Sequence, residues 1–379
     1  MTDPLIFDGH NDLLLRLHNR DIPPGADGFQ GSGGRQIDLV KARKGGFGGG
    51  FFAIYVPDAV DIDSHDEMMA TAYDLPLPDE VSWPDAAPVA LSQAAILLQL
   101  ERDGALKICR STNDIRSCFA TGLMAAVMHM EGAEAIDPEF HMLEVLYQAG
   151  LRSLGPVWSR PTRFGHGVPF RFPGSPDTGL GLTADGKRLV QRCNQLGVMI
   201  DLSHLNEAGF WDVAELSDAP LVATHSNAHA LTPHSRNLTD RQLHAIRDSD
   251  GMVGLNFAVA FLREDGRMDA DTPIDRMLYH IDHLVTQLGE DRVGFGSDFD
   301  GATVPKDIET VAGLPALRAA LRQHGINDAL MTKLCHDNWL RVLDATWDNP
   351  WHSTSCRPCS TRATVRQQKD ADNSAVFKD

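Results

Sequence analysis

Apolar, β-rich runs recur along the chain, and each gives way to a segment whose apolar positions have helical spacing. The runs fall at residues 5–10, 50–56, 123–130, 151–158, 198–203, 220–225, 252–257 and 292–297. Leu123 to Met130, Val198 to Leu202 and Met252 to Phe257 are near-continuous in apolar residues, as strands buried on both faces should be. Helices are predicted at 92–103, 112–120, 138–149, 184–196, 206–217, 239–249, 273–288, 313–324 and 327–345. Asp137 before Pro138 is a start signal, as is Thr183, which opens a run that stops at Gly197. Such alternation implies parallel strands with right-handed crossovers. Eight repeats predict a (β/α)8 TIM barrel rather than an open doubly wound sheet.

Three stretches depart from this rhythm. Residues 57–91 are rich in Asp and Pro and read as an excursion after the second strand. Residues 159–182 carry many Pro, Gly, Arg and Phe without a period. A loop of that length is usually functional, and after the fourth strand it would lie over the active face of a barrel. From about residue 350 the apolar period is lost. The expected organisation is therefore one catalytic barrel over 1–349 and a polar tail over 350–379. The glycine-rich stretch 45–50 lacks the Gly-Lys-Ser/Thr ending of a phosphate loop and precedes a strand, so it reads as a tight entry into strand two.

The strand ends carry the chemistry. In a barrel they all open at one mouth. The first strand runs into His10-Asn11-Asp12, and in an extended chain His10 and Asp12 point to one face, as two ready ligands for a zinc-like cation. The third ends in Glu131, the fifth in His204, the sixth in His225, and the eighth in Asp298 with Asp300 behind it. Any one of these has a bland reading as a turn or hydrogen-bonded residue; five together do not read as independent accidents. Three histidines with two or three carboxylates suit two divalent cations, and an all-N/O donor set favours zinc or manganese-like metals. Paired cations share a water whose pKa falls towards 7, which makes hydrolysis at a carbonyl or phosphoryl centre the expected reaction. Arg236, eleven residues after His225 in the loop leaving strand six, is a candidate for pairing with a substrate carboxylate.

Composition narrows the partners. The 379 residues are 23% charged and 42% hydrophobic, ordinary globular proportions, but the formal net charge is −18. That argues against nucleic acid and against an anionic membrane surface. No stretch approaches the ~20 apolar residues of a membrane span. Met1-Thr2-Asp3-Pro4 leads directly into the first strand with neither a basic nor an apolar leader region, so the expected location is cytoplasmic. The six cysteines read as reduced thiols, and Cys356-x-x-Cys359 has no second pair to complete a metal knuckle.

Asp8-Gly9-His10-Asn11-Asp12, Met130-Glu131-Gly132, Asp201-Leu202-Ser203-His204, Ala223-Thr224-His225-Ser226, Ser235-Arg236-Asn237 and Gly296-Ser297-Asp298-Phe299-Asp300-Gly301 together resemble the membrane (renal) dipeptidase family, binuclear zinc peptidases of the amidohydrolase-like barrels. The resemblance implies two Zn2+ ions: one on His10 and Asp12, the other on His204 and His225, with Glu131 bridging them. It implies that Arg236 holds the substrate's C-terminal carboxylate and that Asp298 manages the proton for the leaving amine. A metal-bridging hydroxide would cleave free dipeptides, L-D dipeptides among them, in a homodimer. The chain departs from the family's pattern at the end of strand four, where Trp158 stands in place of a histidine thought to polarise the scissile carbonyl. His166, or Arg160 or Arg163 in the following loop, is the expected substitute. This departure motivates an alternative: an amidohydrolase-type enzyme for another small amide, lactam, lactone or N-acyl amino acid. A metal-retaining binding protein without activity is the non-enzymatic alternative.

Overall fold

The structure, a computed structural model, describes residues 3–20, 28–30, 35–58 and 65–347. The expected tail over 350–379 lies outside the described residues. The eight expected strands are all present: β1 (Ile6–Asn11), β2 (Phe47–Tyr55), β3 (Met124–Glu131), β4 (Leu151–Gly155), β5 (Met199–Ile200), β6 (Val222–Ala223), β7 (Met252–Leu255) and β8 (Val293–Phe295). Neighbours pair in parallel in the order β5-β4-β3-β2-β1-β8-β7-β6. A bridge between Asp201 and Val222, with the Leu202 N–H donated to the Val222 carbonyl at 2.8 Å, joins β5 to β6 and closes the (β/α)8 barrel.

Strands five and six are shorter than the apolar runs that encode them. The reason is local. The Asp201 carboxylate accepts the N–H groups of Ser203 (3.0 Å) and Thr224 (2.8 Å), so the chain turns out of the ladder as soon as the barrel has closed. A short strand missed from sequence, Leu106–Ile108, pairs with β3.

Helices lie between the strands largely where the pattern places them. Thr183 caps Ala184–Leu196 by accepting the Gly186 N–H, and Gly197 ends it in a left-handed conformation. Two boundaries move. The helix expected at 92–103 begins at Trp83, nine residues earlier, inside the supposed excursion, with Pro84 in its first turn and Pro88 within it. Asp137 wraps residues 138–140 around its carboxylate, accepting the N–H groups of Glu139, His141 and Met142, so the helix proper is His141–Ala149. The glycine-rich stretch is the strand entry expected of it: Gly46 ends the preceding helix at φ 67° and Phe47 opens β2.

The barrel interior is filled, not hollow. Phe7, Phe51, Val127, Met199, Val222 and Met252 meet inside it. Trp339, from the helix Asn338–Trp347, joins them fully buried, 5.1 Å from Phe51 between ring centroids, and donates its indole N–H to the Phe295 carbonyl at 3.0 Å. Its ring occupies the space that side chains at Gly9, Gly254 and Gly294 would need. Above this plug the interior turns polar at His129, Glu131, Asp201 and His225, all buried. No helix among the described residues is long and apolar enough to cross a membrane.

Candidate metal centre

The residues expected at strand ends converge on one mouth. The β1 and β8 ends are tied together beyond the strands: the Asp298 N–H donates to the His10 carbonyl (3.0 Å) and the Asp12 N–H to the Phe299 carbonyl (2.9 Å). This brings His10, Asp12 and Asp298 within 4.8 Å of one another at their donor atoms, as are those of His10, Glu131 and His225. His10 Nε2 lies 3.4 Å from Asp12 Oδ2 and 3.5 Å from Glu131 Oε2. The other Glu131 oxygen, Oε1, is 3.0 Å from His204 Nε2 and 3.4 Å from His225 Nε2. Glu131 thus stands between two groups of donors, one oxygen towards each. Gly301 sits against Asp12 and Asp298, where a Cβ would meet both carboxylates.

The second nitrogens of the two later histidines are fixed. Thr224 Oγ1 donates to Asp201 Oδ2 (2.5 Å) and lies 2.8 Å from His225 Nδ1, so it accepts that proton. Ser159 Oγ lies 2.8 Å from His204 Nδ1 and can accept in the same way. The Thr224 arrangement places the His225 proton on Nδ1 and leaves its Nε2 lone pair facing the centre, and the Ser159 hydroxyl can hold His204 in the same tautomer. Burial pushes His204 and His225 well below the ordinary histidine range, with Arg236 and His10 adding to it, so both are neutral. Burial also lowers His10, but the carboxylates of Glu131 and Asp12 outweigh it and hold His10 well above that range. Burial raises Glu131 to about 7, against the pull of His10.

This donor set fits a zinc-type cation. His10 Nε2 is buried without a hydrogen-bond partner among the described residues, although two carboxylates face it. Imidazoles and carboxylates aimed at a common point are what such a cation binds, displacing the His10 proton, and a buried polar atom without a partner is otherwise costly.

Arg236 is 3% exposed, and no carboxylate among the described residues pairs with it. Its guanidinium donates to the His225 carbonyl (3.1 Å) and the Ser226 hydroxyl (3.4 Å), lies 5.6 Å from the Phe261 ring centroid, and leaves Nε without a partner. Burial pushes it down to about 10. Its loop is pinned on both sides: Arg236 N–H donates to His234 Nδ1 (3.0 Å), and Asn237 donates to the Thr232 and Phe261 carbonyls. Asp298 is half-buried and held at Oδ2 by the Asn256 amide at 2.9 Å.

Trp158 also reaches the mouth, with its ring 5.8 Å from that of His204 and 5.6 Å from Phe170. The loop after β4 lies over the face as expected: Phe170 is 6.5 Å from His204, and Arg171–Phe172 pairs antiparallel with Tyr73–Asp74 of the excursion after β2. His166 makes no contact with the cluster: its main-chain carbonyl accepts the Asn206 N–H, and its side chain makes no hydrogen bond or ring contact with a described residue. Neither arginine of that loop is available in its place. Arg160 is buried against Glu134 (2.7 Å), Asp58 and the Val56 carbonyl (2.7 Å), and Arg163 pairs with Asp185 at the surface. Tyr55, Ser159, Thr224 and Asn256 were missed from sequence. Tyr55 and Asn256 end β2 and follow β7, so the strand-end rule would have found them had it not been restricted to His, Asp and Glu.

Fold and site together define a metal-dependent hydrolase on a (β/α)8 barrel. The chain belongs to the membrane dipeptidase family, peptidase family M19, whose profile it matches over residues 1–353, and it is a metallopeptidase. It is similar to a metallo peptidase from Rhodobacter sphaeroides solved with a phosphinate mimic of the dipeptide L-Ala-D-Ala: 56% identity, TM-score 0.87, covering 91% of this chain and 100% of that one. A second solved protein, dipeptidase AC of family M19, is 57% identical with a TM-score of 0.87, covering 92% of this chain and 99% of that one. A Klebsiella pneumoniae protein described as "uncharacterized protein in pqqA 5'region" is 52% identical over 265 residues, 69% of this chain and 98% of its own length.

Proposed function

We propose that this chain is a dinuclear zinc dipeptidase that hydrolyses free dipeptides, including those with a D-residue at the C-terminal position. His10 and Asp12 would hold one ion and His204 and His225 the other, with Glu131 placed between the two groups to serve both. The observation that carries the reading is the pairing of this donor cluster with Arg236. A guanidinium taken out of water without a carboxylate is unfavourable, and a bound anion relieves it. A free C-terminal carboxylate, one residue beyond the scissile bond, is the anion a dipeptide brings. The relative solved with an L-Ala-D-Ala mimic supports the substrate class.

When bound, the cation pair supplies Lewis acidity at the carbonyl and an activated water. The residues supply the rest. Arg236 binds and orients the carboxylate, which sets the distance from substrate terminus to reacting bond. Asp298, held by Asn256, takes a proton and returns it to the departing amine. Trp158 and Phe170 wall the mouth beside His204 and exclude water from it.

Turnover of L-L, L-D and N-acetylated dipeptides, with zinc added and then stripped by a chelator, tests this. Zinc-dependent cleavage of free dipeptides alone is expected. Cleavage of only the blocked substrates would move the enzyme to another amidohydrolase-type reaction.

A further inference from the structure

Tyr55 closes β2 and is the Cα partner of Glu131 across the β2–β3 pairing. Residues paired in this way point to the same side of a sheet, so the phenol and the Glu131 carboxylate rise side by side from one layer of the barrel. The chain fixes Tyr55 unusually well. Gln93, fully buried in the helix Trp83–Arg102, accepts its N–H at 3.0 Å and donates to its carbonyl at 2.5 Å. The ring is 9% exposed, stands edge-on to Trp158 at 5.2 Å and has the Arg160 guanidinium 5.9 Å from its centroid. Arg160 in turn is immobilised by Glu134, Asp58 and Val56. Backbone, ring edge and ring face are all taken, but the hydroxyl has no hydrogen-bond partner among the described residues and is not closed off from solvent. A tyrosine ring buried this far normally keeps its O–H paired. Here that partner is left to whatever enters the mouth.

We propose that Tyr55 is a catalytic residue whose O–H donates a hydrogen bond to the carbonyl oxygen of the scissile amide as that oxygen gains negative charge. The assignment rests on the dipeptidase reading. It follows from the layout of the barrel, in which strands two and six lie on opposite sides. A dipeptide held by its carboxylate at Arg236, in the loop leaving β6, runs from carboxylate to Cα to amide nitrogen to scissile carbonyl across the mouth towards β2. The carbonyl then lies over Glu131, with the phenol beside it on the next strand. A phenol ordinarily keeps its proton at neutral pH, so the hydroxyl is available as a donor. No bond to Tyr55 forms or breaks: water adds to the carbonyl carbon, the amine leaves with a proton, and the phenol keeps its own.

Tyr55→Phe removes the donor and keeps the ring that packs on Trp158 and Arg160. In the zinc-loaded enzyme acting on L-Ala-D-Ala, kcat is expected to fall about 100-fold, as for loss of one oxyanion donor, with KM within a few-fold of wild type. Affinity for a phosphinate dipeptide mimic, which carries the developing oxyanion, should fall by a comparable factor. Zinc content and melting temperature should be unchanged. Wild-type kcat in Y55F, or a rise in KM alone, overturns the assignment, since the hydroxyl would then be idle or would only bind the ground state. The wild-type enzyme in the same assay separates the two readings. If it cleaves dipeptides and Y55F matches it, only the tyrosine assignment fails. If it cleaves none, the dipeptidase reading fails and the assignment falls with it.

Discussion

His204 and His225 present their Nε2 atoms to each other at 3.0 Å, with both Nδ1 atoms beside hydroxyl groups. When both Nε2 atoms carry lone pairs, as metal ligation requires, they repel at that distance unless an electrophile lies against them. The expected outcome of chelation is therefore loss of stability as well as of turnover, and zinc should restore both. Zinc at a hundred times its dissociation constant stabilises the fold by about 2.7 kcal/mol per site. Metal analysis of the reloaded protein should give two ions per chain; a single ion would remove the bridging role of Glu131.

Arg236→Ala should act on substrate binding. Charge-assisted hydrogen bonds are worth about 1.5–3 kcal/mol each, so losing even one should raise KM for free dipeptides by roughly 10- to 150-fold. Dipeptide amides, which lack the carboxylate, should lose little. Comparing KM for each dipeptide and its C-terminal amide checks this, and equal losses would remove the carboxylate role.

Thr224→Val deletes the hydroxyl between Asp201 and His225 while keeping the shape of the side chain. Without it the His225 Nδ1 proton has no acceptor there, and the imidazole is free to turn. Loss of such an outer partner typically costs about 10–100-fold in metal affinity. Competition for zinc against a chromophoric chelator reads that change directly. Thr224→Ser, which keeps the hydroxyl, should return most of it.

How much of this was legible beforehand depends on whether the information is local. The strands were readable because apolar runs buried on both faces carry their signature in consecutive residues. The proposed ligands were readable because a barrel turns strand ends into neighbours, so His10, Glu131, His204 and His225 could be placed together without knowing any distance. The Gln93 clamp on Tyr55 was not, because a buried glutamine within a helix looks like any other and its partner lies 38 residues away. The short length of strands five and six was hidden for a similar reason: Asp201 ends the ladder through its side chain, and apolar patterning carries no trace of that bond. The helix start at Trp83 was masked by its prolines: Pro84 sits in the first turn, which tolerates it, but Pro88 lies inside the helix, where proline is usually a breaker. For His166, the one histidine in the loop over the mouth, loop position alone did not fix where the side chain points.

A buried histidine outside the proposed ligand set contributes to the acid limit of stability. His280 accepts the Ala228 N–H at Nδ1 (3.2 Å), and its Nε2 lies 3.2 Å from the Leu262 carbonyl. Burial lowers it to about 4, with His283 and Arg276 adding to the effect. The unfolded chain takes up this proton near pH 6.5 and the folded chain only near 4, so stability falls as pH drops through that window and is fully present only above it. The loss by pH 4 amounts to about 3 kcal/mol. Urea unfolding from pH 7 to 4 should therefore show a shallower decline for His280→Gln than for wild type, and parallel declines would contradict the assignment.

Trp339 gives the chain an order of assembly. All eight strands and every proposed ligand have been synthesised by residue 298, yet the ring that fills the middle of the barrel arrives 41 residues later. A nascent chain that has not yet released the helix Asn338–Trp347 carries a hole where a tryptophan belongs, and vacating such a site costs about 3–5 kcal/mol. Synthesis from the N-terminus thus delivers the chemistry first and the keystone last, and the barrel locks only once that helix has emerged.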